Sequence, residues 1–169
     1  MKAEERREAL QKRDGMSERE HLLFDKIIVN TVRGFLLENK SVMSYRSIGS
    51  EVCLDALDPD FRYAYPKTEG DQISAYISDS FREGAYHIQE PAGGRKIDPQ
   101  DLDIILVPLV AFDEQKHRLG HGKGYYDRFL KQTKALKIGI AYECQKSKNI
   151  TVTDDDVSLD LIITEEKIY

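Results

Sequence analysis

The hydrophobic and polar positions divide the chain into an N-terminal helical part and a longer part in which strands alternate with helices. The first fourteen residues are strongly charged and helix-prone, and they predict a helix that ends near Asp14. A Ser-x-x-Glu capping box then begins at Ser17. The side chains behind it that share one helical face are Phe24, Ile27, Ile28, Thr31 and Phe35. This spacing predicts a second helix to about Glu38, and so a helical segment over residues 1–38 that packs on a sheet.

Short apolar runs predict the strands of the remaining chain. Strands are expected at residues 41–45, 62–65, 73–78, 86–88, 103–110, 136–142 and 160–164, with helices at 48–57 and 125–134. The strand at 62–65 is expected to stop at Pro66. Residues 68–100 are the least periodic part, and a long irregular stretch often belongs to a binding cleft. Alternating strands and helices predict an α/β fold around a mostly parallel sheet, with ligands outside the carboxyl ends of the strands.

Composition and charge narrow the class of protein. A chain of 169 residues with 40% hydrophobic and 33% charged residues is typical of one globular domain with a proper core. The net charge of -5 argues against nucleic-acid partners. We find no apolar run of membrane-spanning length and no signal-peptide core. Cys53 and Cys144 show no disulfide or zinc pattern and are expected to be buried side chains. We therefore expect a cytoplasmic monomer without membrane or nucleic-acid partners.

The glycine-rich stretch of residues 118–127 carries the strongest chemical signal. Gly120, Gly122 and Gly124 leave the backbone N–H groups unshielded, so that these groups can close around an anion. An arginine precedes the glycines, a lysine lies among them, and a predicted helix follows, whose dipole favours phosphate at its start. The stretch is neither a dinucleotide fingerprint nor a Walker A loop. It predicts a nucleotide phosphate site, with a flexible turn as the alternative.

The apolar run of residues 103–113, followed by Arg118-Leu119-Gly120 and Gly124-Tyr125-Tyr126-Asp127, resembles the signature of the 5-formyltetrahydrofolate cyclo-ligase family. Agreement extends across nearly the whole chain, at Lys2, Arg6, Arg13, Ser17, Tyr45, Glu51, Val52, Pro66, Glu90, Pro91, residues 141–145 and Asp156. The resemblance implies a three-layer sandwich similar to the NagB/RpiA/CoA-transferase-like fold.

The resemblance also implies a reaction. Enzymes of this family convert 5-formyltetrahydrofolate, which can carry a polyglutamate tail, to 5,10-methenyltetrahydrofolate, and they consume ATP with magnesium. A formamide oxygen is a poor leaving group, and transfer of the γ-phosphoryl group onto it makes it a good one. The neighbouring N10 nitrogen then attacks the activated carbon. We therefore expect the enzyme to position its substrates and neutralise the charge on the phosphates. A catalytic serine or cysteine is not required.

The resemblance assigns most of the candidate residues to ATP. Arg118 and Lys123 are expected to hold the β- and γ-phosphates and are the candidate catalytic residues. The full expected nucleotide site is Lys2, Arg6, Arg118, Leu119, Gly120, His121, Gly122, Lys123, Gly124, Tyr126 and Asp127. Asp127 is also the expected magnesium ligand, because magnesium takes carboxylate and phosphate oxygens together. Without the resemblance, Asp127 is a first-turn helix carboxylate, and Lys2 and Arg6 are a solvated basic patch.

A second group of residues is assigned to the folate. The resemblance places Glu51 in the folate pocket, Tyr125 or Tyr126 over a flat ring of the substrate, and Tyr86 beside the folate tail. Lys67 is a candidate for the carboxylates of the glutamate tail. The alternatives are an exposed helix carboxylate for Glu51, core positions for the paired tyrosines and a solvent-exposed turn for Lys67.

The chain departs from the family pattern at a few positions. Leu109 and Lys116 replace glycines, Ile73 replaces a methionine expected to touch folate, and a proline usual near Thr151 is missing. These departures leave open a non-catalytic folate- or nucleotide-binding paralogue. A third alternative is a sugar-phosphate isomerase or CoA-transferase-like enzyme, which would not need ATP. The retained charges of the glycine-rich stretch favour catalysis.

Overall fold

The computed structural model describes residues 1–36 and 40–169. The helices of these residues are α1 (Lys2–Asp14), α2 (Glu18–Arg33) and α3 (Tyr125–Leu130). Their strands are β1 (Val42–Met43), β2 (Tyr65–Glu69), β3 (Gln72–Ile77), β4 (Phe81–Glu83), β5 (Gln89–Pro91), β6 (Arg95–Ile97), β7 (Ile104–Pro108), β8 (Ala111–Phe112), β9 (Arg118–Leu119), β10 (Leu136–Ile140) and β11 (Leu161–Ile163). None of these helices is long and apolar enough to cross a bilayer.

The central sheet is parallel and has helices on both faces. Its strands lie in the order β1-β7-β10-β11, and each neighbouring pair is parallel. Because successive strand residues point to opposite faces, β7 contributes to two hydrophobic cores. Ile104 and Leu106 pack with α2, whereas Ile105 and Val107 pack with α3. The predicted α/β class with a mostly parallel sheet is confirmed.

Antiparallel strands surround this sheet. The strands β2, β3 and β6 form a small sheet, β4 pairs with β5, and β8 pairs with β9. The hairpin of β8 and β9 leads the chain from the end of β7 to the glycine-rich stretch. Its turn is organised by the buried Asp113, whose carboxylate accepts from the amides of Gln115, His117 and Ile150 at 3.0 Å each. This hairpin fixes the start of the glycine-rich stretch.

The two N-terminal helices were predicted well at their starts. The first helix is confirmed. Both halves of the capping box also form, because the side chains of Ser17 and Glu20 each accept a hydrogen bond from the backbone amide of the other residue. The second helix already ends at Arg33, where the amide of Gly34 bonds back to the Thr31 carbonyl. The predicted end at Glu38 lies outside the described residues.

The predicted helix over residues 48–57 is wrong. This segment forms turns and irregular backbone instead. Gly49 has a left-handed φ of 55°, and the Glu51 carboxylate accepts from the amide of Ile48 at 3.0 Å. Local hydrogen bonds between side chains and backbone thus replace the hydrogen bonds that a helix would form here. The helix predicted over residues 125–134 forms but already ends at Leu130.

Two strand predictions also need correction. The strand at 86–88 is wrong, because Tyr86 and His87 have φ values of 60° and 59° in a short 3-10 turn. The strand predicted at 62–65 lies further along the chain, as β2, and it includes Pro66 rather than stopping there. Because β2 is an edge strand of its sheet, a residue without an N–H is tolerated in it. The strands at 41–45, 73–78, 103–110, 136–142 and 160–164 are confirmed, with ends that differ from the prediction by up to two residues.

The two cysteines form no disulfide. Cys53 and Cys144 are free thiols and are half-buried rather than fully buried. Cys144 packs its sulfur against that of Met16 at 3.4 Å.

Candidate active site

The glycine-rich loop, residues 120–124, lies between β9 and α3. At its start, the Leu119 carbonyl accepts from the Val110 amide at 2.7 Å, which holds the loop against the end of β7. Gly122 and Gly124 have φ values of 98° and 70°, where any other residue would be strained. Within the described parts of the chain, the amides of residues 121–123 donate no hydrogen bond. The loop therefore offers free N–H donors to an anion.

Arg118 brings a buried positive charge to the base of this loop. Its side chain is 3% exposed, and its guanidinium pairs with Asp127 at 3.1 Å. The guanidinium lies 5.6 Å from the centre of the Tyr126 ring. The Nε–H of Arg118 is buried without a partner in the described residues. An unpaired buried donor is costly, so an anion bound at the loop would supply what this arginine lacks.

Asp127, in the first turn of α3, holds Arg118 and can accept one further ligand. One carboxylate oxygen pairs with Arg118, and the other accepts from the Val157 amide at 3.1 Å. A carboxylate has about four lone-pair positions, so both oxygens retain acceptor capacity. The described residues contain no cluster of three or more His, Cys, Asp or Glu side chains that could hold a metal ion. Asp127 therefore fits a metal only as a single protein ligand beside phosphate and water.

The basic face of α1 lies against the loop and not in solvent. Arg6 donates from Nε to the Gly120 carbonyl at 2.7 Å, and its guanidinium packs over Gly122. One turn earlier, Lys2 pairs with Asp156, and their side chains are only 24% and 19% exposed. The interpretation of Lys2 and Arg6 as a solvated patch is therefore wrong. Asp156 was not given a role from the sequence, because nothing in its local pattern shows its distant partner.

Lys123 and Tyr86 meet on the other side of the loop. The Lys123 ammonium lies 5.6 Å from the centre of the Tyr86 ring. The Lys123 carbonyl accepts from Arg128 at 2.9 Å, and Arg128 also donates to the Asp71 carbonyl at 2.6 Å. Arg128 thus joins the loop to the turn between β2 and β3. Sequence reasoning missed it, since its partners are backbone carbonyls that leave no sequence signal.

Glu51 reaches the loop through a histidine. Its carboxylate, buried at 5% exposure, lies 3.1 Å from Nε2 of His121. Burial, and then the charge of the Glu51 carboxylate, raise the pKa of the Tyr126 phenol above its ordinary value. The Tyr126 hydroxyl is itself buried without a partner in the described residues. Glu51, Arg118 and Tyr126 therefore converge beneath the loop, and the alternative of an exposed helix carboxylate for Glu51 is wrong.

Other candidate residues lie outside this convergence. The Tyr125 ring packs against the core and lies 5.5 Å from the Arg128 guanidinium. The Lys67 ammonium lies over the Tyr76 ring on the small sheet, 5.0 Å from the ring centre. Arg13 is buried and donates to the Leu109 carbonyl and to Ser50, so it has the packing role that its position at a helix end suggests.

The departures from the family pattern fall outside residues 120–124. Leu109 and Ile73 are buried in the core beside α3. Lys116 adopts the left-handed conformation itself, with a φ of 66°. Thr151 donates from its hydroxyl and its amide to the Glu5 carboxylate, and a proline could not make the second of these bonds. None of the departures removes a charged group from the site.

Comparisons with known proteins show the family to which the chain belongs. The sequence profile of the 5-formyltetrahydrofolate cyclo-ligase family matches residues 2–165. The chain is 34% identical to the 5-formyltetrahydrofolate cyclo-ligase of Mycoplasma pneumoniae, over 95% of this chain and 96% of that protein. It is also similar to the solution structure of 5,10-methenyltetrahydrofolate synthetase from Aquifex aeolicus, with a TM-score of 0.88, 36% identity and coverage of 99% and 91%. The corresponding structure from Mycoplasma pneumoniae gives a TM-score of 0.80, 31% identity and coverage of 97% and 98%.

Proposed function

Because the chain belongs to the 5-formyltetrahydrofolate cyclo-ligase family, we propose that it converts 5-formyltetrahydrofolate to 5,10-methenyltetrahydrofolate with ATP and Mg²⁺. ADP and phosphate are the other products. The observation that supports the ATP-dependent part best is the buried Arg118, whose Nε–H lacks a partner at the base of a loop with free amides.

The reaction is one phosphoryl transfer followed by one ring closure. The formyl oxygen attacks the γ-phosphorus, the bond to the β–γ bridging oxygen breaks, and ADP leaves. The N10 nitrogen of the same folate then attacks the activated formyl carbon. The carbon–oxygen bond breaks, phosphate leaves with the former formyl oxygen, and the N10 proton passes to solvent. Since the substrate supplies its own nucleophile, the protein needs to position the two substrates and stabilise charge.

The loop and Arg118 neutralise the transferred group in this proposal. The amides of residues 121–123 bind phosphate oxygens, Arg118 contributes its unpaired N–H, and the exposed Lys123 closes over the γ-phosphate. Donors held in place before the reaction need no reorganisation as charge spreads, and one such cation contributes roughly 10²–10⁵ in rate. Arg6 and Lys2 hold α1 over the nucleotide.

Asp127 is the protein ligand that we propose for Mg²⁺. The ion supplies charge neutralisation at the phosphates when bound. Asp127 keeps its contact with Arg118, so that the two charges retain their relative positions.

We propose that the folate lies between Glu51, Tyr126 and the Tyr86 side of the loop. Glu51 accepts hydrogen bonds from the substrate, and the Tyr126 hydroxyl donates a hydrogen bond to the substrate. The exposed Tyr86 ring supplies a flat surface for an aromatic part of the substrate. This placement sets the formyl oxygen next to the phosphate loop.

Variants of an exposed lysine test the phosphate assignment without disturbing the fold. We expect Lys123→Ala to lower kcat/KM for ATP by roughly 10²-fold, because one cation at the transferred group is lost. The readout is the absorbance of the methenyl product. Lys134→Ala removes another exposed lysine, just beyond α3, and is the matched control. Equal kinetics for both variants and the wild type would remove Lys123 from the site, and tight binding of ATP and folate without product would indicate a non-catalytic paralogue.

A further inference from the structure

The side chain of His121, in the glycine-rich loop, forms a hydrogen bond with Glu51, which lies outside the loop. Its Nε2 lies 3.1 Å from the Glu51 carboxylate, although the two residues are 70 positions apart. In the tautomer with its proton on Nε2, the imidazole donates a hydrogen bond to the Glu51 carboxylate. The imidazole is 46% exposed and the carboxylate 5% exposed. The histidine thus caps a buried acid from the solvent side.

The other oxygen of Glu51 has a fixed partner. It accepts from the backbone amide of Ile48 at 3.0 Å. A main-chain donor next to Gly49 cannot turn away as a side chain can, whereas the half-exposed imidazole of His121 can rotate into solvent. A folate N–H that approaches Glu51 therefore competes with His121 for the same oxygen.

The position of His121 gives it a second acceptor when nucleotide binds. Its neighbours Gly120 and Gly122 carry no side chains, and its own amide is among the free donors of the loop. Phosphate oxygens gathered by these amides would lie within reach of the same imidazole. The charge of a triphosphate makes these oxygens strong acceptors for its N–H.

We propose that His121 is an exchangeable positioning residue that couples the two substrate sites. In the free protein it caps Glu51, and when a triphosphate fills the loop it transfers its hydrogen bond to the phosphates and frees Glu51 for the folate. ATP then raises the affinity for 5-formyltetrahydrofolate. The inference rests on the proposed function, because it needs phosphate at the loop and folate at Glu51.

The test is a set of folate dissociation constants measured by calorimetry, with and without a saturating, non-hydrolysable ATP analogue and Mg²⁺. For the wild type, the analogue is expected to tighten folate binding by about fivefold or more. His121→Leu cannot cap Glu51, so it should bind folate more tightly than the wild type without nucleotide, and nucleotide should change its affinity by less than about twofold. His121→Gln keeps an N–H donor toward Glu51 and should fall between these two proteins. In steady-state kinetics, His121→Leu should lose the dependence of the folate KM on ATP.

Two outcomes would overturn the coupling. The first is wild-type folate affinity that is unchanged by the analogue, and the second is His121→Leu with undiminished coupling. In both cases the wild type still binds both ligands, so the proposed function survives. If the wild type binds neither ligand, the proposed function fails and the coupling fails with it.

Discussion

Arg118 and Tyr126 each bury a polar group that has no hydrogen-bond partner among the described residues, and both lie beneath the same loop. Leaving one buried donor unpaired costs about 1–3 kcal/mol of stability. Two such groups beside one ion pair are hard to explain by packing, since apolar side chains of similar size would pack there without this cost. A ligand that accepts hydrogen bonds explains both groups, which supports a phosphate and folate site beneath the loop.

Lys116 shows a local conflict between residue type and backbone. Its φ of 66° lies in the left-handed region, which costs a residue with a Cβ about 1–2 kcal/mol. We predict that Lys116→Gly raises the free energy of unfolding by about 0.5–1 kcal/mol, because relief of strain exceeds the added entropy of the unfolded chain. Urea unfolding measures this change. Lys116→Ala removes the same side chain but keeps the strain, and a glycine variant less stable than this alanine control would refute the argument.

The helix α1 is fastened to the protein mainly through polar contacts. Its buried residues are Ala9 and Arg13. Its anchors are the Lys2–Asp156 pair, the Arg6–Gly120 hydrogen bond and the contact of Glu5 with Thr151. Its apolar contacts are limited to Ala9 and Leu10, so its sequence shows little of a docking surface. The helix itself was therefore predictable from the sequence, but its position over the loop was not.

The Lys2–Asp156 pair predicts a pH dependence for this anchoring. Burial tends to raise the pKa of Asp156, but the Lys2 ammonium and Thr153 outweigh it and hold the pKa below its ordinary value of 3.8. A lowered carboxyl pKa stabilises the fold above the unfolded value, and this stabilisation is lost as the pH falls through the folded value. Asp156→Asn should therefore be less stable than the wild type at neutral pH, with a difference that shrinks below about pH 4. Urea unfolding across this range measures the difference, and a difference that grows toward acid would contradict the assignment.

The elements that the sequence predicted well have strong periodic patterns. The run of residues 103–110 gave β7, and the capping box at Ser17 fixed the start of α2. The prediction failed where local polar contacts replaced periodicity. Around Gly49, a left-handed residue and a side-chain cap produced turns in a segment whose composition favours a helix.

At the scale of the whole molecule, the site is assembled from segments far apart in the sequence. Arg6 comes from α1, Glu51 from an irregular segment beyond β1, Tyr86 from a 3-10 turn, and the glycine-rich loop from the end of the β8–β9 hairpin. The motif around residues 118–127 was sufficient to predict the loop. The contacts of Glu51 with His121 and of Arg6 with Gly120 could not be predicted, because each joins residues 70 or more positions apart. The fold is what brings the two proposed substrate sites together.

The proposed mechanism requires phosphorylation of the formyl oxygen before the ring closes, and the fate of that oxygen shows whether this step occurs. The substrate would carry a heavy oxygen isotope in its formyl group, and the released phosphate would be examined by mass spectrometry after turnover with ATP and Mg²⁺. We predict that the label appears in inorganic phosphate, one labelled phosphate for each methenyl product, with none formed when ATP is omitted. Methenyl product accompanied by unlabelled phosphate would contradict the account.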